Sequence, residues 1–265
     1  MTLSEVLKAL ILGVVQGVLE WLPVSSSGFL LLLSLSLYEK SNLVYDYILL
    51  LHLGTLVAVS IKFRKDIAML FEDFLYTIMR KKRISHDLKS VILIILSTAI
   101  TGVPAFIVSE KITTLSGHLV MGFLGIFLVS TGIITMLKPR EKCFRERLNT
   151  CDAILLGLTQ GLAAIPGLSR SGSTIAVLLL RKLKSSEALR WSYLASIPAV
   201  LGSLILVFFH RGYNAFLKPS ILMATLSSFI FGYLTIDVML RVSRKIDFSW
   251  FTLITGFLLL FSTCI

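Results

Sequence analysis

An arginine lies among small hydroxyl residues in the segment PGLSRSGST, Pro166 to Thr174, directly beside apolar runs. A charged side chain at membrane depth is costly and is usually paired or functional. The free N–H groups of a helix N-terminus favour phosphate, and a guanidinium adds a bidentate donor. We predict that Arg170 binds phosphate, with Ser169, Ser171 and Thr174 as further contacts. A salt bridge that only ties two segments together is the structural alternative.

A carboxylate and an amide lie four residues apart in the segment GVVQGVLEWLPVSSSG, which begins at Gly13. Gln16 and Glu20 therefore share one face of a short helix. Carboxylate and amide oxygens suit a hard divalent cation, Mg²⁺ or Ca²⁺, whose remaining ligands would be water and substrate oxygens. We predict that these two residues bind such a cation. Local capping or pairing is the alternative.

Three consecutive serines follow in the same segment, Ser25, Ser26 and Ser27. Serine is a good helix N-cap, so at least one of them is expected to cap the next helix. The functional alternative is a hydroxyl that faces the phosphate, either as a donor or as a nucleophile with Glu20 as its base. His52, in LLLHLGTL, is open between a packed structural role and proton handling.

The composition places these polar residues in a membrane protein. Of the 265 residues, 55% are hydrophobic and only 15% are charged, whereas soluble domains carry about 25% charged residues. The apolar runs do not alternate as the strands of a membrane barrel do. We therefore predict an all-α polytopic membrane protein. The net charge of +11 reflects basic loops on the cytoplasmic side rather than nucleic-acid binding.

The apolar runs have two forms. Six of them predict full transmembrane helices, at about 43–62, 89–108, 117–137, 189–209, 220–240 and 247–264. Residues 5–37 and 152–182 are each long enough for two short helices, and each is interrupted by Pro, Gly and Ser. Irregular backbone at membrane depth is tolerated only where it is buried in protein or lines a cavity. We predict that both segments are re-entrant helical hairpins.

The two interrupted segments resemble each other at one offset of 144 residues. The matching pairs are Gly13/Gly157, Gln16/Gln160, Gly17/Gly161, Ser25/Ser169, Ser27/Ser171 and Gly28/Gly172. An internal duplication explains this pattern. Each half then holds one hairpin and three spans, so the second copy must be inverted, which places the site where the broken elements meet. The prediction is one integral membrane domain, 1–265, with repeat one at about 1–140 and repeat two at about 150–265.

The basic residues set the orientation. If the segment 62–89 is a cytoplasmic loop, the inner loops carry twenty Lys or Arg and the outer loops carry five, out of 26. This is a clear positive-inside bias. Arg170 is the one basic residue that belongs to neither side.

The two motifs resemble those of a known family. The segments Gln16-Gly-Val-Leu-Glu20 and Pro23-Val-Ser-Ser-Ser-Gly28 are similar to (E/Q)xxxE and PVSSxGH of the bacitracin-resistance family of undecaprenyl-diphosphate phosphatases. PGLSRSGST is similar to the second motif of that family, PGxSRSG(A/S)T. The resemblance covers essentially the whole chain. One position differs, because Phe29 stands where the family motif carries histidine.

The resemblance implies roles for individual residues. The acid pair of the family falls on Gln16 and Glu20, the proposed nucleophilic serine on Ser26, and the phosphate-binding arginine on Arg170. It also implies a divalent cation, an inverted-repeat fold, and an active site in the cell membrane that opens to the outer face. His52 is a candidate to replace the histidine that is missing at Phe29.

The resulting prediction is an enzyme that hydrolyses a polyprenyl diphosphate to the monophosphate and inorganic phosphate. In the family that the chain resembles, this reaction recycles the carrier lipid of cell-wall (peptidoglycan) synthesis, and the family is named for bacitracin resistance. Whether this chain serves such a wall or another glycan is left open. The expected partners are the polyprenyl lipid, membrane lipids and a second copy of the chain, and nucleic acid is not expected. A transporter or flippase of lipid phosphates, without hydrolysis, is the alternative, because inverted repeats with broken helices are also a transporter architecture.

Overall fold

The structure is a computed structural model that describes residues 3–22, 24–37, 44–80, 84–112, 145–165, 168–242 and 249–262, together with isolated helical residues between 122 and 136. Its regular elements in these ranges are helices, joined by one isolated bridge between Arg145 and Leu183. The all-α prediction is therefore confirmed. In chain order the helices are α1 Leu3–Leu19, α2 Ser26–Leu37, α3 Val44–Lys62, α4 Arg64–Arg80, α5 His86–Ile112, α6 Thr150–Leu162, α7 Arg170–Leu180, α8 Ser185–Arg211, α9 Pro219–Val242 and α10 Ser249–Ser262.

Three helices are long and apolar enough to cross a membrane, namely α5, α8 and α9. They coincide with the predicted spans at 89–108, 189–209 and 220–240. Helices α3 and α4 qualify together as a bent pair, and α10 occupies most of the predicted span 247–264 with 14 residues. The predicted span 117–137 lies largely outside the described residues. The chain is thus a multi-pass membrane protein.

Both interrupted segments contain two helices with a break between them. The first break runs from Glu20 to Ser25, between α1 and α2, and the second runs from Ala163 to Ser169, between α6 and α7. Pro23, Pro166 and Gly167, the residues on which the predicted interruptions partly rested, lie outside the described residues. Each break brings polar side chains to the middle of an otherwise apolar segment.

The segment 62–89, which the sequence predicts as a loop, contains a helix. Helix α4 occupies most of it and carries apolar residues at positions 67, 70, 71, 74, 75 and 78. This spacing of three and four residues is the helical period. The predicted connection between two spans is thus largely helical, because periodic apolar residues lie between its charged ends.

The matching glycines of the two interrupted segments make matching contacts. A Cβ atom on Gly17 of α1 would lie 2.6 Å from the Ser228 carbonyl oxygen and 2.7 Å from the Gly232 nitrogen of α9. A Cβ atom on Gly161 of α6 would lie 2.5 Å and 2.6 Å from the equivalent atoms of Thr98 and Gly102 on α5. Only glycine permits this approach of two helix backbones. Each first hairpin helix is thus held against a long helix.

A buried carboxylate anchors the start of α6. Asp152 is fully buried and pairs with Arg145 at 2.8 Å and with Arg181 at 2.9 Å. Its backbone nitrogen donates to the side chain of Asn149, and the Asn149 nitrogen donates back to its carboxylate, which forms a capping box. Because Arg181 follows α7 directly, this cluster ties together the two ends of the second hairpin.

Candidate active site

Glu20 lies directly after the last residue of α1, at the start of the first break. Its side chain is 5% exposed, and its Oε2 atom accepts hydrogen bonds from Gln16 Nε2 at 3.0 Å and from Ser26 Oγ at 2.7 Å. Its Oε1 atom pairs with a terminal guanidinium nitrogen of Arg170. The two residues are 150 positions apart in the chain, so this ion pair joins the two breaks.

Serine caps position the charged residues. Ser169 precedes α7, and its Oγ atom accepts a hydrogen bond from the Gly172 nitrogen at 3.1 Å. Ser25 does the same for α2, accepting from the Gly28 nitrogen at 3.2 Å. N-capping, the structural alternative for these serines, is therefore what the structure shows for this matched pair. Arg170 becomes the first residue of its helix for this reason.

Two residues that the sequence reasoning missed connect the breaks further. The hydroxyl of Tyr193 on α8 donates to the Trp21 carbonyl oxygen at 3.0 Å, and the two rings pack edge to face at 4.9 Å. The guanidinium of Arg170 lies 6.0 Å from the centre of the Trp21 ring, and Ser171 Oγ donates to the Leu22 carbonyl oxygen. These contacts hold the backbone of the first break against the start of α7.

A cavity of about 440 Å³ lies where the two breaks meet. Its polar end is formed by Glu20 and by side chains of both breaks, and its other walls come from α3, α5 and α8. The lining residues include Ser25, Ser26, Ser27, His52, Val103, Ile107, Gln160, Arg170, Ser171, Gly202 and Leu206. The cavity therefore joins a charged, hydroxyl-rich end to an apolar wall, which is the shape that a lipid with a phosphorylated headgroup requires.

His52 is part of this site. Its Nε2 atom lies 3.4 Å from Glu20 Oε2, and its Nδ1 atom lies 2.9 Å from the Ile48 carbonyl oxygen. A carbonyl oxygen can only accept, so Nδ1 carries a proton and Nε2 is the atom that faces the carboxylate. Phe29 is described and does not line the cavity. The imidazole nearest to Glu20 thus comes from α3 instead of from the position after the serines.

Four buried polar atoms in this region have no hydrogen-bond partner among the described residues: Arg170 Nη1, Trp21 Nε1, Gln16 Oε1 and Gln160 Oε1. Such atoms are rare in proteins because each one costs free energy unless a ligand or water satisfies it. Arg170 Nη1 is a free donor on a side chain that lines the cavity. It is therefore available for an oxyanion.

Few side chains in this region could serve as ligands of a cation. Among the described residues, no group of three or more His, Cys, Asp or Glu side chains could hold a metal ion. Mg²⁺, however, is commonly bound by one or two carboxylates together with substrate phosphates. Glu20 lines the cavity and supplies one carboxylate of this kind. The free Oε1 atom of Gln16 is buried, and Gln16 does not line the cavity.

The predicted site residues fall into two groups. Glu20, Ser25, Ser26, Ser27, His52, Arg170 and Ser171 line one cavity. Gln16, Ser169 and Thr174 are buried but do not line it. Thr174 Oγ1 donates to the Arg170 carbonyl oxygen at 2.6 Å and lies 2.7 Å from Ser192 Oγ, which supports α7 from within the protein. Phosphate binding by Ser169 and Thr174 stays a prediction.

Comparison with known proteins identifies the family. The family described as bacitracin resistance protein BacA matches residues 9–259. The chain belongs to this family. Two relatives named undecaprenyl-diphosphatase are similar to this BacA-family chain over nearly the full length of both proteins. The one from Methanothrix thermoacetophila is 36% identical over 98% of each chain, and the one from Methanococcoides burtonii is 37% identical over 97% of each.

A third relative with the same name, from Haloarcula marismortui, is 35% identical over 93% of each chain. The predicted resemblance to the bacitracin-resistance family is thereby confirmed. In this BacA-family chain the two motifs of the resemblance are the two breaks that meet at the cavity.

Proposed function

We propose that this BacA-family protein hydrolyses undecaprenyl diphosphate, or a related polyprenyl diphosphate, to the monophosphate and inorganic phosphate. The observation that carries the proposal is the meeting of Glu20, Ser26 and Arg170 at the polar end of a cavity whose other wall is apolar. The names of the relatives support the same activity. An acid, a hydroxyl and a guanidinium on one centre are the groups that phosphoryl transfer needs.

Arg170 binds the terminal phosphate in this proposal. One terminal nitrogen of its guanidinium is held by Glu20, and the other, Nη1, is buried and meets no partner in the part of the chain that the structure describes. The ion pair therefore fixes the plane of the Arg170 guanidinium, while its Nη1 atom stays available as a donor. Charge that develops on the phosphoryl oxygens meets a donor that is already oriented, so no reorganisation is needed during the reaction.

Ser26 is the proposed nucleophile. Its hydroxyl donates to Glu20 Oε2 at 2.7 Å, which is the geometry of a nucleophile and its base. As the bond from Ser26 Oγ to the terminal phosphorus forms, the bond to the bridging oxygen breaks and the lipid monophosphate leaves. The hydroxyl proton passes to Glu20. The oxygen of a water molecule then forms a bond to phosphorus as the bond to Ser26 Oγ breaks. The water protons leave with inorganic phosphate, and Glu20 returns its proton to Ser26.

A divalent cation, Mg²⁺ or Ca²⁺, is proposed as the cofactor, with Glu20 and Gln16 as its protein ligands. When bound, it would offset the negative charge of the diphosphate and polarise the phosphoryl group. The support is that Glu20 lines the cavity, and that Gln16, whose Nε2 atom donates to this carboxylate, has a buried amide oxygen without a partner among the described residues.

His52 is proposed to share the proton that Glu20 receives, because its Nε2 atom lies 3.4 Å from Glu20 Oε2. His52→Asn is expected to lower kcat by about 100-fold with little change in KM, the usual scale of a lost acid–base group. The pH profile of kcat should also lose the limb that the imidazole contributes. His86→Asn, at an exposed histidine, is the matched control. A wild-type pH profile in His52→Asn would restrict His52 to packing.

The cavity is proposed to open toward the outer face. With the predicted orientation, α3 runs inward while α5 and α8 run outward. The cavity residues lie at Leu49 and His52 of α3, at 95–107 of α5 and at 198–206 of α8. In all three helices these positions fall in the middle or in the outer half of the helix.

The polyprenyl chain is proposed to leave the cavity between α5 and α8. Val103 and Ile107 of α5 and Leu206 of α8 line the cavity and are also exposed on the outside of the described structure. Gly202 lies on the same wall, and a Cβ atom there would meet no atom within 4 Å. An apolar path that is open to the bilayer lets the lipid tail stay in hydrocarbon while the diphosphate reaches Arg170.

Gly202→Trp is expected to block this path. The indole would fill the open space at Gly202, so KM for undecaprenyl diphosphate should rise by about tenfold, equivalent to ~1.4 kcal/mol. Farnesyl diphosphate, whose tail is shorter, should be affected less. Leu201→Trp is the matched control, because Leu201 is exposed on the same helix without lining the cavity. Equal effects of the two variants on both substrates would place the tail elsewhere.

Two inverted repeats within one membrane domain are proposed as the origin of the site. The offset of 144 residues between the interrupted segments, the matched caps Ser25 and Ser169, and the matched glycine contacts support this arrangement. In this proposal α5 of the first repeat supports the second hairpin, and α9 of the second repeat supports the first.

Phosphate release distinguishes the enzyme from a transporter. Purified protein should release inorganic phosphate from undecaprenyl diphosphate in the presence of Mg²⁺ or Ca²⁺, and EDTA should stop the release. Binding of the lipid without release, with either ion present, would favour a transporter.

A further inference from the structure

Helix α4 leaves α3 at a sharp angle. The two helices, Tyr47–Lys62 and Arg64–Met79, meet at Phe63 and differ in direction by 77°. Since α3 is apolar along its length and ends at the side of the basic loops, a helix turned by this angle runs close to the plane of the membrane surface. Helix α4 is therefore placed at the cytoplasmic boundary of the bilayer.

One side of α4 faces the protein. The carboxylate of Asp66 pairs with Arg190 of α8, which also contacts Glu187 at 3.1 Å. Leu70 and Asp73 follow on the same side and are partly buried. This side fixes the rotation of α4 about its own axis, and with it the direction in which the other sides point.

A second side of α4 is apolar and exposed. It consists of Phe71, Phe74, Leu75, Ile78 and Met79, all of which are exposed in the described structure. At about 100° per residue these five side chains fall within a single arc of roughly 140°. They form one continuous apolar face on a helix whose remaining exposed positions include Lys65 and Glu72.

Phospholipid is the occupant that fits this face. A helix with one apolar face, a polar face and basic residues is typical of helices that lie in the lipid interface. Arg64 and Lys65 begin α4, and the sequence Arg80-Lys81-Lys82-Arg83 ends it or follows it. These charges attract anionic headgroups, as clusters of Lys and Arg beside a membrane span do. The exposed apolar surface of α3 also reaches Ile61, directly before α4.

We propose that α4 lies in the cytoplasmic interface of the membrane, with Phe71, Phe74 and Ile78 at the boundary between headgroups and acyl chains of an anionic leaflet. Because α4 also pairs with α8, the helix couples that leaflet to one wall of the cavity. This proposal does not depend on the hydrolysis reaction.

Spin labels on two faces of α4 test the proposal. In protein whose three cysteines are replaced by serine, Phe71→Cys and Met69→Cys are labelled separately and reconstituted in vesicles of phosphatidylglycerol and phosphatidylcholine. The two positions are equally exposed, 59% and 54%, but lie about 160° apart around the helix. A thermal unfolding midpoint and a gel-filtration profile that match those of the unlabelled protein show that each labelled protein is folded.

The label at position 71 should collide mainly with oxygen, at a depth of about 5–10 Å, and the label at position 69 mainly with a water-soluble nickel chelate. Replacing phosphatidylglycerol by phosphatidylcholine should reduce the depth at position 71. Equal access of nickel to both labels would show that α4 projects into water and would overturn the proposal. An immobile label at position 71 that neither reagent reaches would assign the face to a protein partner and overturn it as well. If the depth of the label at position 71 is the same with and without phosphatidylglycerol, the preference for anionic lipid is refuted.

Discussion

Arg170→Ala is expected to lower kcat/KM for undecaprenyl diphosphate by at least ~10³-fold, the range seen when an arginine that stabilises a phosphoryl group is lost. The guanidinium carries Nη1, a donor that is buried without a partner among the described residues, on a side chain that lines the cavity. Arg170→Lys keeps the charge but loses the planar fork, so its activity should lie between those of wild type and Arg170→Ala. Initial rates of phosphate release over a range of substrate concentrations measure both.

Loss of Arg170 also leaves Glu20 buried without its ionic partner, which can destabilise the fold. The double variant Glu20→Gln with Arg170→Ala separates the two effects. If the pair had only a structural role, removing both partners should restore thermal stability and activity together. The proposed chemistry requires that stability returns while activity does not. Near-normal activity in Arg170→Ala would remove the residue from the site.

Glu20→Gln is expected to have the second large effect, a loss of about 10³-fold or more in kcat. The amide has the shape of the carboxylate but cannot take the proton of Ser26. It also offers a cation only one neutral oxygen in place of two charged ones. General-base loss alone is worth about 10²–10⁴-fold, and the neutral side chain also no longer pairs with Arg170. Phosphate release and lipid binding, measured on the same preparation, separate lost chemistry from lost affinity.

The control for Glu20→Gln is a similar substitution in another ion pair. Asp66 pairs with Arg190 and does not line the cavity, so Asp66→Asn removes a partly buried negative charge that is also paired with an arginine. Its kcat should stay within a few-fold of wild type. Equal losses in the two variants would mean that the measurements report folding instead of catalysis.

The central side chains were predictable from sequence because they lie in two local motifs. Glu20, Ser26 and Arg170 each interrupt an apolar segment, and an ionisable group in such a place needs a partner. The repeat at an offset of 144 residues further predicted that the two motifs would meet, and the Glu20–Arg170 ion pair joins them.

Other parts of the site have no local signal. The hydrogen bond from Tyr193 to the Trp21 carbonyl oxygen joins residues 172 positions apart. Trp21 lies between the two parts of the first motif, and Tyr193 lies outside both motifs. The capping of Ser25 and Ser169 and the cavity position of Ser26 depend on backbone directions within the breaks. Three consecutive serines in a sequence do not specify which serine caps the helix and which one lines the cavity.

His52 and α4 show two further limits. His52 is an isolated histidine in an apolar helix, and its role was left open because only the packing of α3 against α1 brings its ring to Glu20. Helix α4 carried a helical period in the sequence, but its charged ends resembled a cytoplasmic loop. In both cases the deciding information is the direction of a helix relative to its neighbours.

The most direct test of the account uses undecaprenyl diphosphate that is radiolabelled in its terminal phosphate. Purified wild-type protein and Arg170→Ala are incubated with the lipid in the same micelles, with Mg²⁺ or Ca²⁺ present, and free phosphate, lipid monophosphate and bound diphosphate are measured together. The account predicts many turnovers by the wild type, with equal amounts of phosphate and monophosphate, and no release above background by Arg170→Ala. Intact diphosphate that stays bound to a folded wild-type protein, with no phosphate released, would contradict it.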